Sequence, residues 1–269
     1  MNDNKSPETE ILKAAETNND IVDPAKAGDK TEQDEVITTT PEQPEDKQEV
    51  PNDEGSSPWD IAKAEKDLLA SFANDSETDL LKVLKDNSFL FYDLYDRKYG
   101  IQPVFRELNF GAEFRCDFAW LNDKSSGPEW VLVELEKPKM SLFNADGKPT
   151  AKLQGALEQV KTWDQYFEEN KGEAKRIFGA VAEFRFILVA GSGEHWGTEH
   201  AQKWRIYNHK RFHIEIRSMD TFLRAIKVAK EHPAELWSFK EKPVTLPHTR
   251  LESYWRDYDY MDRWRQVID

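Results

Sequence analysis

No aromatic residue precedes Trp59 in this 269-residue chain, and this feature decides which part of it can fold. Residues 1–57 hold 16 Asp and Glu against 5 Lys, which gives them a charge of −11. A stretch that combines high charge with no aromatic side chains cannot bury enough apolar surface to offset the entropy lost on ordering. We therefore predict a disordered acidic tail over residues 1–57 and a folded part over residues 58–269.

The composition of the folded part excludes several classes of protein. The total charge of −14 counts mildly against nucleic-acid binding. The folded part holds 35 acidic and 32 basic residues and carries only −3 of that charge, which weakens the objection. The single cysteine, Cys116, excludes an internal disulfide framework and a multi-cysteine zinc site. No stretch approaches the roughly 20 apolar residues of a transmembrane helix, and the first residues do not resemble a signal peptide. We expect a cytoplasmic protein that does not bind membranes.

Hydrophobic periodicity predicts the secondary structure of this part. Helical spacing of apolar residues predicts helices over residues 59–73, 76–85, 150–170, 219–230 and much of 251–267. Apolar runs predict strands over residues 104–109, 113–121, 130–137, 184–190 and 211–217. Turn-forming residues predict a hairpin loop over residues 122–128. The order predicts an α/β fold, a mixed central β-sheet flanked by helices, with residues 231–269 as a C-terminal helical extension.

Two of these strands place acidic residues where they can meet. In strand 130–137, Glu134 and Glu136 share one face, because successive side chains of a strand alternate. In strand 113–121, the same alternation sets Asp117 opposite a face that contains Cys116. Antiparallel pairing of the two strands would bring Asp117 beside the two glutamates. Three gathered carboxylates repel one another, and Mg²⁺ or Mn²⁺ is the usual compensation.

A simpler explanation of Glu134 and Glu136 is that they alternate along an edge strand on a solvated face. The run Trp130–Val133 favours the site, because four apolar residues that lead into acids are typical of a buried strand ending at a cleft. Cys116 is expected to be an unreactive core residue.

Several segments, taken together, resemble the Shedu immune nucleases (SduA-type proteins). These form a branch of the PD-(D/E)XK superfamily used in bacterial antiphage defence. The resemblance implies a restriction-endonuclease-like core and a nuclease that depends on Mg²⁺ or Mn²⁺. It rests on the segments ETDLLKVLKDNSFLF (77–91), CDFAW (116–120), WVLVELEKPKMSLFNADGKPTAKL (130–153), ALEQVKTWDQYFEEN (156–170), RFILVAG (185–191) and IEIRSMDTFL (214–223).

The resemblance also implies roles for individual residues. Asp117 matches the first metal-ligand Asp of the superfamily, and Glu134 matches the acid of its E-x-K motif. Glu136 stands where most members have Lys, so three carboxylates, Asp117, Glu134 and Glu136, are expected to bind the metal. Lys137 faces away in a regular strand, and only a bulge or the strand end at Pro138 could return it to the site.

Two helices contribute further candidates. Gln159 and Trp163 match a helical Gln-x-x-x-Tyr element with Trp in place of Tyr, and their spacing puts them on one helix face. The alternative is a solvent-facing Gln159 beside a core tryptophan, and Gln154 is a weaker candidate. Glu77 matches an acid on the first helix of this fold, although in the first turn after Ser76 it would also complement the helix dipole.

These features predict a metal-dependent endonuclease that acts on nucleic acid, on DNA rather than RNA, and they are compatible with a homo-oligomer. One alternative is a catalytically inactive nucleic-acid-binding or sensor module on the same fold, and another is a partner-binding protein. Basic residues within 171–176 and 203–211 are interpreted as solvated faces rather than as phosphate contacts.

Overall fold

The computed structural model describes residues 59–96, 101–236 and 244–268, and the predicted acidic tail lies outside this part. The helices are α1 (Ile61–Ala73), α2 (Glu77–Asp86), α3 (Ala151–Glu169), α4 (Lys171–Phe178), α5 (Gly193–Trp196), α6 (Glu199–Phe212), α7 (Asp220–Glu231), α8 (Leu251–Arg256) and α9 (Asp259–Val267). The strands are β1 (Phe105–Phe110), β2 (Phe114–Lys124), β3 (Gly127–Leu135), β4 (Glu183–Val189), β5 (Ile214–Arg217) and β6 (Leu246–Pro247). No helix of the described residues is long and apolar enough to cross a membrane.

All six strands of the described residues lie in one mixed sheet, in the order β5-β4-β3-β2-β1-β6. Strands β1, β2 and β3 are antiparallel neighbours, whereas β3, β4 and β5 run parallel. Helical connections join the parallel strands, as a parallel crossover requires. The predicted α/β fold with a mixed, helix-flanked sheet is therefore confirmed.

The central strand β3 separates two hydrophobic clusters. Trp130 and Leu132 pack in a cluster with α3, and we call this side of the sheet the α3 face. Val131 and Val133 point to the opposite cluster, which α1, α2 and α7 cover. Fully burying a large apolar side chain contributes about 1.5–3 kcal/mol, and β3 buries such residues on both faces. This explains why its sequence is a continuous apolar run rather than an alternation.

The predicted hairpin between β2 and β3 is confirmed, but its loop is shorter than residues 122–128. Strand β2 continues to Lys124 and β3 begins at Gly127, so only two residues turn the chain. The polar side chains that suggested a loop bond one another within the ladder: Asn122 donates to Glu129 over 2.6 Å, and Lys124 pairs with the same carboxylate. The Asn122 amide nitrogen, the Lys124 ammonium and the Glu129 carboxylate thus find partners inside the sheet, so these residues do not break it.

The predicted strand over residues 211–217 is too long, because α6 continues to Phe212. His213 then turns the chain in a left-handed conformation at φ +56°, and β5 begins at Ile214. Helices α4 and α6 were not predicted. Dense Lys, Arg and His residues hide the apolar face of α6, which is confined to a few positions around Ala201 and Trp204.

The C-terminal segment contributes helices α8 and α9, and both pack into the domain core. Strand β6 pairs with β1 and forms an edge of the sheet. Leu251, Trp255 and Met261 are buried in the cluster on the α3 face. The indole nitrogen of Trp255 donates to the carbonyl oxygen of Ile177 over 2.9 Å, which fixes α8 against α4.

This packing predicts opposite effects for two glycine substitutions. Gly179 has φ +77°, and a Cβ added there would lie 2.6 Å from the Trp255 ring. Gly179→Ala should therefore lower the free energy of unfolding by about 1–3 kcal/mol. Gly155 lies within α3 with open space around it, so Gly155→Ala should raise that energy by about 0.4–1 kcal/mol. Chemical denaturation measures both changes, and equal stability of the two variants would contradict the packing of Trp255.

Candidate active site

Asp117 is buried at the point where regular pairing of β2 ends. Its Oδ2 accepts a hydrogen bond from the main-chain N–H of Leu135 over 2.9 Å, so the carboxylate reaches across to β3. Side-chain alternation fails here, because Cys116 packs on the α3 face with Ala119 whereas Phe118 packs on the other face. The prediction that Cys116 and Phe118 share a face is therefore wrong.

The neighbouring strand β1 is irregular at the same level. Arg106 pairs with Phe118 and Leu108 pairs with Cys116, which sets Glu107 opposite Asp117. Glu107 adopts φ +55°, a conformation that is unusual for a residue other than glycine. Lys85 of α2 binds its carboxylate over 2.8 Å. A local distortion shared by two strands therefore accounts for the departure of Asp117 from simple alternation.

Glu134 lies on the α3 face, near the end of β3. Its Oε1 accepts a hydrogen bond from the side-chain amide of Gln159 over 2.6 Å. Its Oε2 is buried and has no hydrogen-bond partner among the described residues. This hydrogen bond brings Gln159 to the acids, and Trp163 packs in the core. A role of Gln159 in catalysis stays a prediction. Gln154 is exposed on the same helix.

The chain leaves the sheet shortly after Glu134. Strand β3 ends at Leu135, and the main-chain N–H of Glu136 donates to the carbonyl oxygen of Val189 over 3.0 Å. The Glu136 side chain is half-buried, whereas the Lys137 side chain is exposed. A catalytic contact of Lys137 stays a prediction.

Glu77 joins the acids from the first turn of α2. Ser76 caps this helix by accepting a hydrogen bond from the main chain of Asp79 over 3.1 Å. The charge of Glu77 raises the pKa values of Asp117, Glu134 and Glu136, in each case after the larger effect of burial. The two interpretations of Glu77 from the sequence are compatible, because it occupies the first helical turn and also influences the site.

Electrostatics disfavour full ionisation of this cluster. Burial is the largest cause that raises the pKa of Asp117, and the hydrogen bond from Leu135 opposes it. Burial also raises the pKa of Glu134 well above its usual range, followed by the charges of Asp117 and Glu136. Burial, then Glu77 and Asp117, raise the pKa of Glu136 to about 7. The cluster therefore favours the binding of protons or of a cation.

Cys116 lies closer to the site than the sequence predicts. Burial raises the pKa of its thiol well above the ordinary value, and the charges of Glu134 and Asp117 add to this effect. The thiol therefore stays protonated, and a protonated thiol is a poor nucleophile. Its place beside the acids is a consequence of the distortion at Asp117.

The sequence did not identify three cations that act on the acids. The charge of Arg115 and, less strongly, that of Lys85 lower the pKa of Asp117, and the charge of Lys152 lowers the pKa of Glu136. Each effect is smaller than the increase that burial causes. A signal for Lys152 was present: it precedes Gln159 by seven residues, a spacing that puts both on one face of α3. Lys85 had no comparable signal, because its position depends on how α2 packs against the sheet.

The donors of the site suit a cation that needs few protein ligands. Among the described residues, no three His, Cys, Asp or Glu side chains already form a metal-binding group. Mg²⁺ is typically bound by one or two carboxylates, with water and phosphate oxygens completing its shell. The unpartnered Oε2 of Glu134 and the raised pKa values of two adjacent acids fit such a cation.

Without metal, the cluster should make stability depend on pH. An acid whose pKa is raised by folding binds protons more tightly in the folded state, so it stabilises the protein at low pH. This contribution is lost as the pH rises from about 4.3, the unfolded pKa of Glu, through the folded pKa values. In EDTA, Glu134→Gln and Glu136→Gln should flatten this decline in melting temperature relative to wild type. The control Glu113→Gln alters an exposed acid, and equal pH profiles of all four proteins would contradict the repulsion.

The comparison with known families covers the part of the chain that contains this site. A family described as Shedu protein SduA, C-terminal, matches residues 74–223, which include the four acids and Gln159. No curated protein matches the chain. The family points to a role in antiphage defence. Because more than half of the chain is matched, the protein belongs to the family of Shedu protein SduA, C-terminal.

Proposed function

We propose that this protein is a metal-dependent nuclease of the PD-(D/E)XK type that hydrolyses phosphodiester bonds in DNA. The observation that carries the proposal is the buried, unpartnered Oε2 of Glu134, which lies among acids that raise the pKa of that group. A buried carboxylate without a counter-charge lowers the stability of the folded protein, and a bound cation would remove this penalty. The defence role of the family agrees with DNA as the substrate.

The carboxylates of Asp117 and Glu134 would hold Mg²⁺ or Mn²⁺. When bound, the cation supplies a lowered pKa of coordinated water and neutralises negative charge on the phosphate. The main chain of Leu135 holds Asp117, and the amide of Gln159 holds Glu134. These two hydrogen bonds fix the orientation of the ligands before substrate arrives.

Glu136 is suited to accept a proton. Without metal, burial and the charges of Glu77 and Asp117 raise its pKa to about 7. A cation bound by the neighbouring acids would lower this pKa and favour the carboxylate, which is the form that accepts a proton. In hydrolysis, an oxygen–phosphorus bond forms to water and the bond to the leaving sugar oxygen breaks. Glu136 would take the proton that the attacking water releases, a role that Lys has in most members of the superfamily.

A second candidate function is a nucleic-acid-binding or sensor module that no longer cleaves. The specific observation in its favour is Glu136, because an acid stands where most of the superfamily has Lys. Such a module would keep the fold and bind nucleic acid without hydrolysis.

A plasmid-cleavage assay distinguishes the nuclease from the binding module. Wild type should nick supercoiled DNA with Mg²⁺ or Mn²⁺ but not with EDTA, and Asp117→Asn and Glu134→Gln should abolish nicking because they remove ligand charge. Asn and Gln keep an acceptor oxygen, so folding is preserved. Gln159→Ala should slow cleavage, whereas Gln165→Ala, on an exposed turn of the same helix, should not.

Glu136→Lys tests the proton acceptor. If Glu136 only fills the usual lysine position, the variant keeps partial activity; if its carboxylate is required, activity is lost. Because the purified enzyme could need a signal from infection, the same variants should be compared for protection of cells against phage. Equal protection by wild type and Asp117→Asn, with no metal-dependent cleavage by wild type, would contradict the nuclease and favour the binding module.

A further inference from the structure

A groove with a cavity of 680 Å³ opens between α6 and the edge strand β5. Gln202, Arg205, Ile206 and His209 line it from α6, at positions i, i+3, i+4 and i+7, which form one helix face. Ile206 is exposed there although it is apolar. None of the proposed catalytic acids lines this groove, so it forms a separate site.

Arg205 is a fixed cation in the groove. Its Nη2 donates to the carbonyl oxygen of Ile216 over 2.6 Å, and its guanidinium lies 5.3 Å from the Trp196 ring centroid. Within the part of the chain that the structure describes, no carboxylate forms an ion pair with it. Partial burial lowers its pKa, the nearby charge of Arg217 lowers it further, and the charge of Glu215 opposes both effects. The guanidinium is therefore held in place by a main-chain contact and not by an ion pair within the described residues.

Its neighbours keep the groove positive. Lys210 is exposed on the same wall and is in no ion pair among the described residues. The one carboxylate in the lining, Glu215, is shared between Arg185 and Arg217, so its charge is already neutralised. The interpretation of residues 203–211 as a solvated basic face is wrong for Arg205, which is half-buried against the sheet.

The groove lies in line with the candidate active site. Glu134 of β3, Leu188 of β4 and Ile216 of β5 are register partners across three adjacent strands. Two strand spacings of about 4.8 Å separate Glu134 from Ile216, a span of about 10 Å. Helices α3 and α6 cover the same face, and Lys161 of α3 lies 3.9 Å from the Phe212 ring of α6. Duplex DNA has a phosphate about every 3.4 Å along each strand, so the span corresponds to about three base steps.

We propose that this groove binds the phosphodiester backbone of DNA beside the cleavage site. The free N–H groups of Arg205 suit a phosphate, because its planar fork can make paired hydrogen bonds. Lys210 provides a second charge, and the exposed Ile206 contacts the sugar edge. The place of the groove relative to cleavage rests on the proposed function, whereas binding itself does not require catalysis.

Equilibrium binding of the full-length protein to a labelled DNA duplex, in EDTA, tests the groove independently of cleavage. Lys210→Glu and Arg205→Gln should each weaken binding several-fold, equally for unrelated sequences. Each should also reduce the slope of log affinity against log salt by about 1, as expected for one lost phosphate contact. Lys171→Glu with Lys175→Glu alters basic residues of α4, away from this groove, and serves as the control.

Comparison of these variants shows whether the groove binds DNA. Lys210→Glu changes an exposed residue, so it tests the groove even if Arg205→Gln proves unstable. Wild-type affinity and salt slope in Lys210→Glu would overturn the proposal and leave an acidic polypeptide, such as residues 1–57, as the groove's ligand. A loss in the α4 control as large as that in Lys210→Glu would overturn it too, because binding would then follow net charge. A Lys210→Glu effect in a protein that does not cleave would support the groove while the nuclease proposal fails.

Discussion

The hydrogen bond from the main chain of Leu135 to the Asp117 carboxylate organises the site. At this point of the β2–β3 pairing, the Asp117 carboxylate accepts the hydrogen bond that a main-chain carbonyl of β2 would accept in a regular sheet. A buried hydrogen bond to a charged acceptor contributes about 1.5–3 kcal/mol, which helps to offset the burial of that charge. The remaining acids gather around this point from β3 and α2.

The hydrophobic clusters on both faces of β3 stabilise the fold and so offset the repulsion among the acids. They hold the strand rigidly while the chain places Glu134 and Glu136 at its end, where like charges oppose one another. The raised pKa values of Asp117, Glu134 and Glu136 reflect the free energy needed to ionise these buried, adjacent acids. This cost at the end of the central strand, and the Glu134 oxygen that has no partner among the described residues, support the proposal that a ligand binds there.

Periodicity was enough to predict most strands, because regular elements fix which side chains share a face. Gln159 was identified by the family resemblance and not by periodicity. Periodicity failed at Asp117, where the distortion depends on Glu107 in a left-handed conformation that its residue type does not signal. It also failed for α6, whose buried positions include the polar Asn208 and whose charges mask the apolar face. The role of Arg205 depends on its contact with Ile216 of another element, which no local pattern contains.

We propose that Asp117 and Glu134 share one divalent cation, and anomalous diffraction from crystals soaked with Mn²⁺ is a direct test. We expect a strong peak about 2.1 Å from one oxygen of each carboxylate, with Gln159 still bonded to Glu134. The peak should disappear in Glu134→Gln. A peak elsewhere, or an ordered site without Mn²⁺ at a concentration that supports cleavage, would contradict it.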